Sequence, residues 1–404
     1  MSRLLVDLTH TSHTRALTGI QRLCRGLYGA LAAGADEVVP VCHDPYERRW
    51  RPLRPWERRA LATPEGAVAA ARGARWPLAA RLAGRLRRWT GRADPEATAA
   101  LGAGAALIEP EIFSPAVARR LPALLRTVAG PRVAIFHDAT ALRLPELSPP
   151  KTVARYPAYL QELLQFDGVA AISDDSRAVL ADYWGWLGVP QPPPVLGLPL
   201  GIDAPAPSPF GHTTAPDAAP VVLSIGSLEG RKNHLALLEA CEALWARGRR
   251  FELRLIGLSH PHTGRAALDR VRALQAAGRP LVYSGPAAEA DLQRAYRACR
   301  FTVYPSLMEG FGLPVFESLS HGKPCICSAR SALGEAARDG GCIALDRVDA
   351  PALAGAIELL LTDADRLAAL TEAARRRTLR TWSVYAAELT AWMGTLRRRG
   401  AAAG

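Results

Sequence analysis

Short apolar runs alternate with longer stretches of helical period through most of the chain. In the first half, Leu4–Leu8, Glu37–Val41, Ala106–Glu109, Arg132–Phe136 and Gly168–Ile172 read as strands. Gly19–Ala33, Ala116–Val128, Lys151–Gln165 and Ser173–Leu187 between them read as helices. Strands that are apolar throughout, with a helix after each, predict parallel sheets covered on both faces. Two proline-rich passages then interrupt the pattern, Val189–Pro194 and Ala204–Pro220, so 188–220 reads as the end of one domain and a linker. A fresh alternation opens at Val221-Val222-Leu223-Ser224-Ile225-Gly226 and runs through strands near Glu252, Leu281, Phe301, Pro324 and Cys342. The last part, Ala364–Arg399, is helical by period, with a break at Trp382. The expected fold class is α/β, two Rossmann-like domains facing across a cleft, with ligands at the carboxyl ends of the strands. The expected division is 1–200, 201–380, and a terminal helix, 381–404, returning to the N-terminal domain.

Bulk properties agree with this picture. At 404 residues, 49% hydrophobic and 22% charged, the chain belongs with globular proteins and is too long for one core. It has no apolar run long enough to span a bilayer. The start, Met1-Ser2-Arg3-Leu4-Leu5-Val6-Asp7-Leu8, turns polar too soon for a signal peptide and reads as a first buried strand. The seven cysteines are scattered without zinc-type spacing, and Cys325 and Cys327 alternate in an apolar strand as small packing residues. A reducing, cytoplasmic location follows.

The formal charge of +12 favours anionic partners. Much of the excess lies between Glu47 and Arg92, where arginines from Arg48 to Arg92, Arg72 among them, are interleaved with Trp50, Trp56, Trp76 and Trp89 against only Glu47, Glu57 and Glu65. One reading is a solvated set of helices. A sharper one is a surface lying on an anionic membrane, arginines on phosphates and tryptophans at the interface. Nucleic acid is disfavoured because no recognised binding module accompanies the charge.

The most informative stretch is Phe301-Thr302-Val303-Tyr304-Pro305-Ser306-Leu307-Met308-Glu309-Gly310-Phe311-Gly312-Leu313-Pro314-Val315-Phe316-Glu317. A buried strand leads through a glycine turn into a helix whose first amides suit an anion, and two carboxylates suit the hydroxyls of a sugar or ribose. Earlier, Ile225-Gly226-Ser227-Leu228-Glu229-Gly230-Arg231-Lys232-Asn233 ends a strand and opens a helix with Asn233 as its expected N-cap. Arg231 and Lys232 there could bind a pyrophosphate and stabilise its departure, or be two solvated cations. Val133-Ala134-Ile135-Phe136-His137-Asp138 delivers a histidine and an aspartate to a strand end, and Thr18-Gly19-Ile20-Gln21-Arg22 opens the first helix, where Gly19 would let its N-terminus approach a diphosphate.

The Glu309-x7-Glu317 spacing resembles the signature of retaining, nucleotide-sugar-dependent family-4 glycosyltransferases, and the adjacent Arg231-Lys232 pair resembles their donor motif, although many relatives separate the two residues. The resemblance implies a GT-B fold and transfer of a hexose with retention from a nucleotide diphospho-sugar, GDP-mannose favoured and UDP- or dTDP-sugars open, to a glycan or lipid-linked saccharide in surface polysaccharide synthesis. It implies no cofactor, metal or nucleic acid, and places an N-terminal acceptor domain before a C-terminal donor domain. By the same likeness His137 contacts the transferring sugar. Asp138, Arg22 and Arg177 serve the acceptor. Gly226, Gly285, Pro286 and the Gly310-Phe311-Gly312-Leu313 amides line the donor. Glu317 takes the ribose and Glu309 the sugar. The expected location is cytoplasmic, or peripheral on the inner membrane face. A phosphorylase or epimerase of the same fold, and a catalytically inactive binding protein using its basic segment, are the alternatives.

Overall fold

The computed structural model describes residues 3–16, 18–34, 37–62, 74–91, 101, 105–203 and 219–399. Part of the expected linker, 204–218, together with Glu65, Arg72 and Arg92, lies outside the described residues. Within them, the apolar runs form two separate sheets. The first has seven strands: β1 (Arg3–Asp7), β2 (Glu37–Asp44), β3 (Arg49–Pro52), β4 (Ala105–Glu109), β5 (Arg132–Phe136), β6 (Gly168–Ala171) and β7 (Val195–Gly197), in the order β3-β2-β1-β4-β5-β6-β7. Neighbours run parallel except β2 and β3, which form an antiparallel pair. The second has six strands: β8 (Val221–Ile225), β9 (Glu252–Ile256), β10 (Leu281–Tyr283), β11 (Phe301–Tyr304), β12 (Cys325–Ser328) and β13 (Cys342–Leu345), all parallel in the order β10-β9-β8-β11-β12-β13. Both are Rossmann-like. Their central strands are largely apolar because both faces are covered; Leu4, Leu5, Val6, Val133, Ala134 and Ile135 have no exposed surface.

The chain divides into two compact units: the described residues of Met1–His137, Pro157–Gly201 and Arg380–Gly404, and those of Asp138–Tyr156 and Ile202–Leu379. In the first, the helix Trp382–Thr395 packs on the helix Gly19–Ala32, burying Tyr385, Leu389 and Met393. The segment beyond it is tied to the sheet by a buried ion pair. Asp167 accepts from Arg132 at 2.7 and 2.8 Å and from the Arg399 amide at 2.6 Å. Burial works against the Asp167 charge, but the Arg132 hydrogen bonds hold its pKa below the usual range. In the second unit, the core gathers Leu237, Leu244, Trp245, Phe251, Phe301 and Ile357, and the Trp245 indole donates to the Phe251 carbonyl.

Several local expectations change. The expected helix Ala116–Val128 is two, Pro115–Ala118 and Leu121–Thr127, because Pro122 cannot extend a preceding turn. β7 lies inside the passage read as linker, at the sheet edge where a proline-flanked strand is tolerated. The arginine- and tryptophan-rich segment also divides. Arg51 is buried and bonded to Glu57 and Asp44, Trp50 is buried, and Trp76 stacks on His13 at 3.7 Å. Trp89, by contrast, is 84% exposed. All seven cysteines are free thiols, with Cys325 and Cys327 fully buried in β12. Among the described residues no helix is long and apolar enough to cross a membrane.

The contact between the two packed helices can be tested with glycines. A Cβ on Gly26 would lie 2.2 Å from Trp382 Cε2, whereas one on Gly29, in the same helix, meets nothing within 4 Å. Gly29→Ala is expected to raise stability by about 0.5–1 kcal/mol through helix propensity. Gly26→Ala is expected to lower it by about 1–3 kcal/mol through overpacking. Thermal unfolding of the two variants beside the parent protein checks this; equal shifts would contradict the packing.

Candidate active site

β8 and β11 are neighbours at the point where the second sheet's strand order reverses. Connections leaving their carboxyl ends diverge there and leave a crevice, the usual ligand position in such sheets. β8 runs into Gly226 and then the 3-10 turn Gly230–Lys232; β11 runs into the glycine turn that opens the helix Leu313–Ser320. The two loops are stitched together. The Leu307 amide donates to the Arg231 carbonyl at 2.9 Å, and Arg231 Nη1 donates to the Met308 carbonyl at 3.3 Å.

Glu309 stands between the two cations. Arg231 Nη1 is 2.8 Å from its Oε2 and Lys232 Nζ is 2.6 Å from its Oε1. The Tyr304 hydroxyl donates to Oε1 at 3.2 Å and itself accepts from Lys232. The lysine Nζ lies 4.7 Å from the Tyr304 ring centroid. Both Glu309 and Lys232 are buried. Burial alone would keep Glu309 protonated, but Arg231 and then Lys232 hold its carboxyl down at about 2. Burial pulls Lys232 below its usual value while Glu309 opposes it. Burial also works against the Arg231 charge, which Glu309, Glu229 and Asp138 stabilise. The turn therefore holds two cations and a carboxylate, already desolvated, whose partnership an incoming anion could exchange.

Backbone conformation brings the chain close around them. Gly226 has φ 154°, and a Cβ on Gly257 would lie 2.0 Å from the Gly226 carbonyl, so the ends of β8 and β9 meet backbone to backbone. Gly312, with φ 94°, begins the helix in the left-handed region that only glycine enters readily. Phe311 is buried and stacks on Phe316 at 4.7 Å, covering the turn, and Gly310 is buried beside it. On the helix, Glu317 accepts from the Tyr296 hydroxyl at 2.8 Å, and that ring stacks on His321. Gly285, with φ 66°, accepts from the Gly257 amide at 2.8 Å, and Pro286 follows it half-buried. One expectation is corrected. Asn233 precedes its helix, but with φ 56° its side chain donates to the Val348 carbonyl at 2.7 Å instead of capping.

Residues 210–377, which hold Gly226, Arg231, Lys232, Glu309 and Glu317, match the family described as glycosyl transferases group 1. The match takes in the whole second sheet and leaves the first outside it. Among curated proteins it is 37% identical over 146 residues to O-antigen chain mannosyltransferase B of Escherichia coli, covering 35% of this chain and 36% of that one. It is 27% identical over 210 residues to the serotype-specific mannosyltransferase WbdA of Escherichia coli, covering 48% and 25%. It is 32% identical over 207 residues to a D-inositol 3-phosphate glycosyltransferase of Thermobispora bispora, covering 48% and 47%. The matched part thus spans about a quarter to a half of these relatives' lengths. Among solved structures, sucrose-phosphate synthase of Thermosynechococcus elongatus superposes with a TM-score of 0.64 at 19% identity, over 97% of this chain and 98% of that one. Anabaena HepE in complex with UDP and glucose superposes with a TM-score of 0.62 at 13% identity, over 98% and 100%. The fold they share is GT-B.

Outside residues 210–377, His137 is buried, with Nε2 2.8 Å from the Pro110 carbonyl. Asp138 accepts from the Thr140 amide at 2.8 Å, and the division between units falls between His137 and Asp138. Gly19 opens its helix exposed, and Arg22 is half-buried one turn in. Arg177 is exposed, 3.4 Å from Asp174, and Ser173 caps its helix by accepting from the Ser176 amide. His13, Cys42 and Glu57 bring ligand-type atoms within 4.8 Å of one another. Both Glu57 oxygens, however, accept from Arg51 and one from His13, which is the pattern of a buried ion-pair network.

Sequence reasoning missed an acidic cluster where the first sheet's order reverses. Asp7 ends β1, Glu109 ends β4, and Glu111 follows; all three are buried. Glu111 accepts the His10 and Thr11 amides at 2.6 Å each, and Asp7 accepts the Thr9 amide and hydroxyl. Burial, and the Glu111 charge with it, pushes the Asp7 carboxyl from 3.8 up to about 7. Burial raises Glu109 and Glu111 too, with Asp7 and the Glu111 charge adding to the rise at Glu109. A raised carboxyl pKa means that the fold favours the protonated form. Its contribution to stability is whole below the unfolded value and is lost as pH climbs through about 7. Asp7→Asn keeps the shape and removes the proton. The unfolding free energy of the parent protein is expected to fall between about pH 4 and pH 7, by up to ~1.4 kcal/mol per pH unit for one proton, and to flatten in the variant. Parallel pH curves for the two proteins would contradict the raised Asp7 carboxyl.

Proposed function

We propose that this protein is a retaining glycosyltransferase that moves a hexose, mannose favoured, from a nucleotide diphospho-sugar to a glycan or lipid-linked saccharide in surface polysaccharide synthesis. The observation that carries this is the Arg231–Glu309–Lys232 cluster at the glycine turn, within the residues that match the glycosyl transferases group 1 family. Two relatives are named mannosyltransferases, one of them an O-antigen enzyme, which favours mannose, and hence GDP-mannose as donor. Consuming a nucleotide sugar suits a cytoplasmic location.

In the proposed reaction, the bond between the anomeric carbon and the diphosphate oxygen breaks, and the leaving group's charge passes to Lys232, Arg231 and the amides of Gly310 to Leu313. The acceptor oxygen bonds to the same face of that carbon, and its proton goes to the departing phosphate oxygen; with the two cations and the amides balancing the leaving group's charge, the scheme requires no divalent metal. Glu309, released from its cations, holds the sugar and stabilises positive charge at the anomeric carbon. Glu317 takes the ribose, and Gly226, Gly285 and Pro286 line the nucleotide. Gly19 serves the diphosphate, His137 the sugar, and Asp138, Arg22 and Arg177 the acceptor.

Incubation with a panel of GDP-, UDP- and dTDP-sugars, with and without a mannose-terminated acceptor, tests the reading through the nucleoside diphosphate released. GDP appearing from GDP-mannose, faster with acceptor, is expected; no release from any donor would overturn it. Glu309→Gln is expected to lower turnover by about 100-fold or more while GDP binds as well or more tightly, because a competing anion has gone. Lys232→Ala is expected to weaken GDP binding by about tenfold, roughly 1.4 kcal/mol by calorimetry. Unfolding midpoints of both variants show whether the fold survives, and unchanged turnover in the Glu309 variant would reject its role.

A further inference from the structure

The helix Leu78–Thr90 carries its large apolar side chains away from the protein. Leu78 is 70% exposed, Leu82 56%, Leu86 60% and Trp89 84%, while the residues it buries are Ala80 and Gly84. At about 100° per residue, positions 78, 82, 86 and 89 share one stripe roughly 80° wide, and positions 80 and 84 lie nearly opposite. The small face is a genuine seat. A Cβ on Gly84 would be 2.8 Å from Tyr46 Cβ, Arg87 pairs with Glu47 at 3.1 Å, and just ahead of the helix Trp76 stacks on His13. The leucine stripe is therefore held outward by packing on the other side.

Charge decides what covers that stripe. No acid occurs from Ala74 to Gly91, whereas Arg75, Arg81, Arg85, Arg87 and Arg88 do. Arg81, Arg85 and Arg88 flank the stripe along one side; Arg81 also donates to the Trp76 carbonyl, and Arg85 lies over the Tyr46 ring. A second copy docking on this face would bring the two sets of arginines together, because a two-fold interface pairs each patch with itself. Nucleic acid would satisfy the arginines but leave the leucines in water. An anionic bilayer satisfies both, since apolar side chains enter the acyl boundary while guanidiniums stay among headgroup phosphates. We propose that this helix is an interfacial anchor for an anionic lipid surface, with Leu78, Leu82, Leu86 and Trp89 inserted and Arg81, Arg85 and Arg88 at the phosphates.

The test uses the full chain and needs no sugar nucleotide, so its outcome is independent of the proposed reaction. The protein is sedimented with vesicles of phosphatidylcholine alone and of phosphatidylcholine mixed with phosphatidylglycerol. It is expected to pellet with the mixed vesicles, to do so far less with the neutral ones, and to be released in part at about 0.5 M salt. The double variant Leu82→Asp/Leu86→Asp, at exposed positions and so expected to unfold like the parent, should lose about tenfold or more of the bound fraction. Arg88→Glu should weaken binding to the mixed vesicles only. Absence of binding to the mixed vesicles, or equal binding by parent and double variant, overturns the proposal. So does a parent dimer in sedimentation velocity that the double variant abolishes while vesicles bind neither.

Discussion

A carboxylate buried between two cations is the constraint on which the second unit's chemistry depends. Glu309 could not remain ionised at its depth without Arg231 and Lys232, and those cations would carry an uncompensated desolvation cost without Glu309. The fold meets this requirement by placing β8 beside β11, so that loops 77 residues apart along the chain close on each other. The pairing is strong enough to order the site, yet each partner has another role open to it. In the proposed reaction a diphosphate offers the cations more negative charge than one carboxylate, which would leave Glu309 available to a sugar.

The units solve opposite electrostatic problems at the same place in their sheets. Where the second gathers cations at the reversal of strand order, the first gathers Asp7, Glu109 and Glu111 and quiets them with amide donors and retained protons. Beyond that cluster, the first unit's unusual feature is a helix seated on alanine and glycine that turns leucine and tryptophan to solvent. In the proposed reading, nucleotide-sugar chemistry belongs to the second unit and placement at a lipid surface to the first.

What could be read in advance follows from range along the chain. The alternation of apolar strands and helices is local, so both sheets and most elements were legible, as were the turn from Glu309 to Glu317 and the Arg231-Lys232 pair, each in a short run. That Glu309 would be held by that very pair was not legible, because it depends on strand order. The acidic cluster was invisible for the same reason: Asp7 and Glu109 look like ordinary strand ends until β1 and β4 lie side by side. Composition marked the stretch around Trp50 to Trp89 as basic and aromatic. It could not tell that Arg51 and Trp50 are buried while Trp89 faces out, since the pairing of β3 at the sheet edge decides the first and the phase of the helix Leu78–Thr90 the second. Asn233 looked like a cap by residue type, and its left-handed backbone turned the side chain elsewhere.

The most direct measurement is a crystal structure of the protein soaked with GDP-mannose at saturating concentration. The account predicts diphosphate oxygens within hydrogen-bonding reach of Lys232 Nζ and the Arg231 guanidinium, at the Gly310–Leu313 turn, with Glu309 moved off at least one cation toward the sugar. An occupied nucleotide elsewhere, or a turn left empty with both Glu309 ion pairs intact, would contradict it.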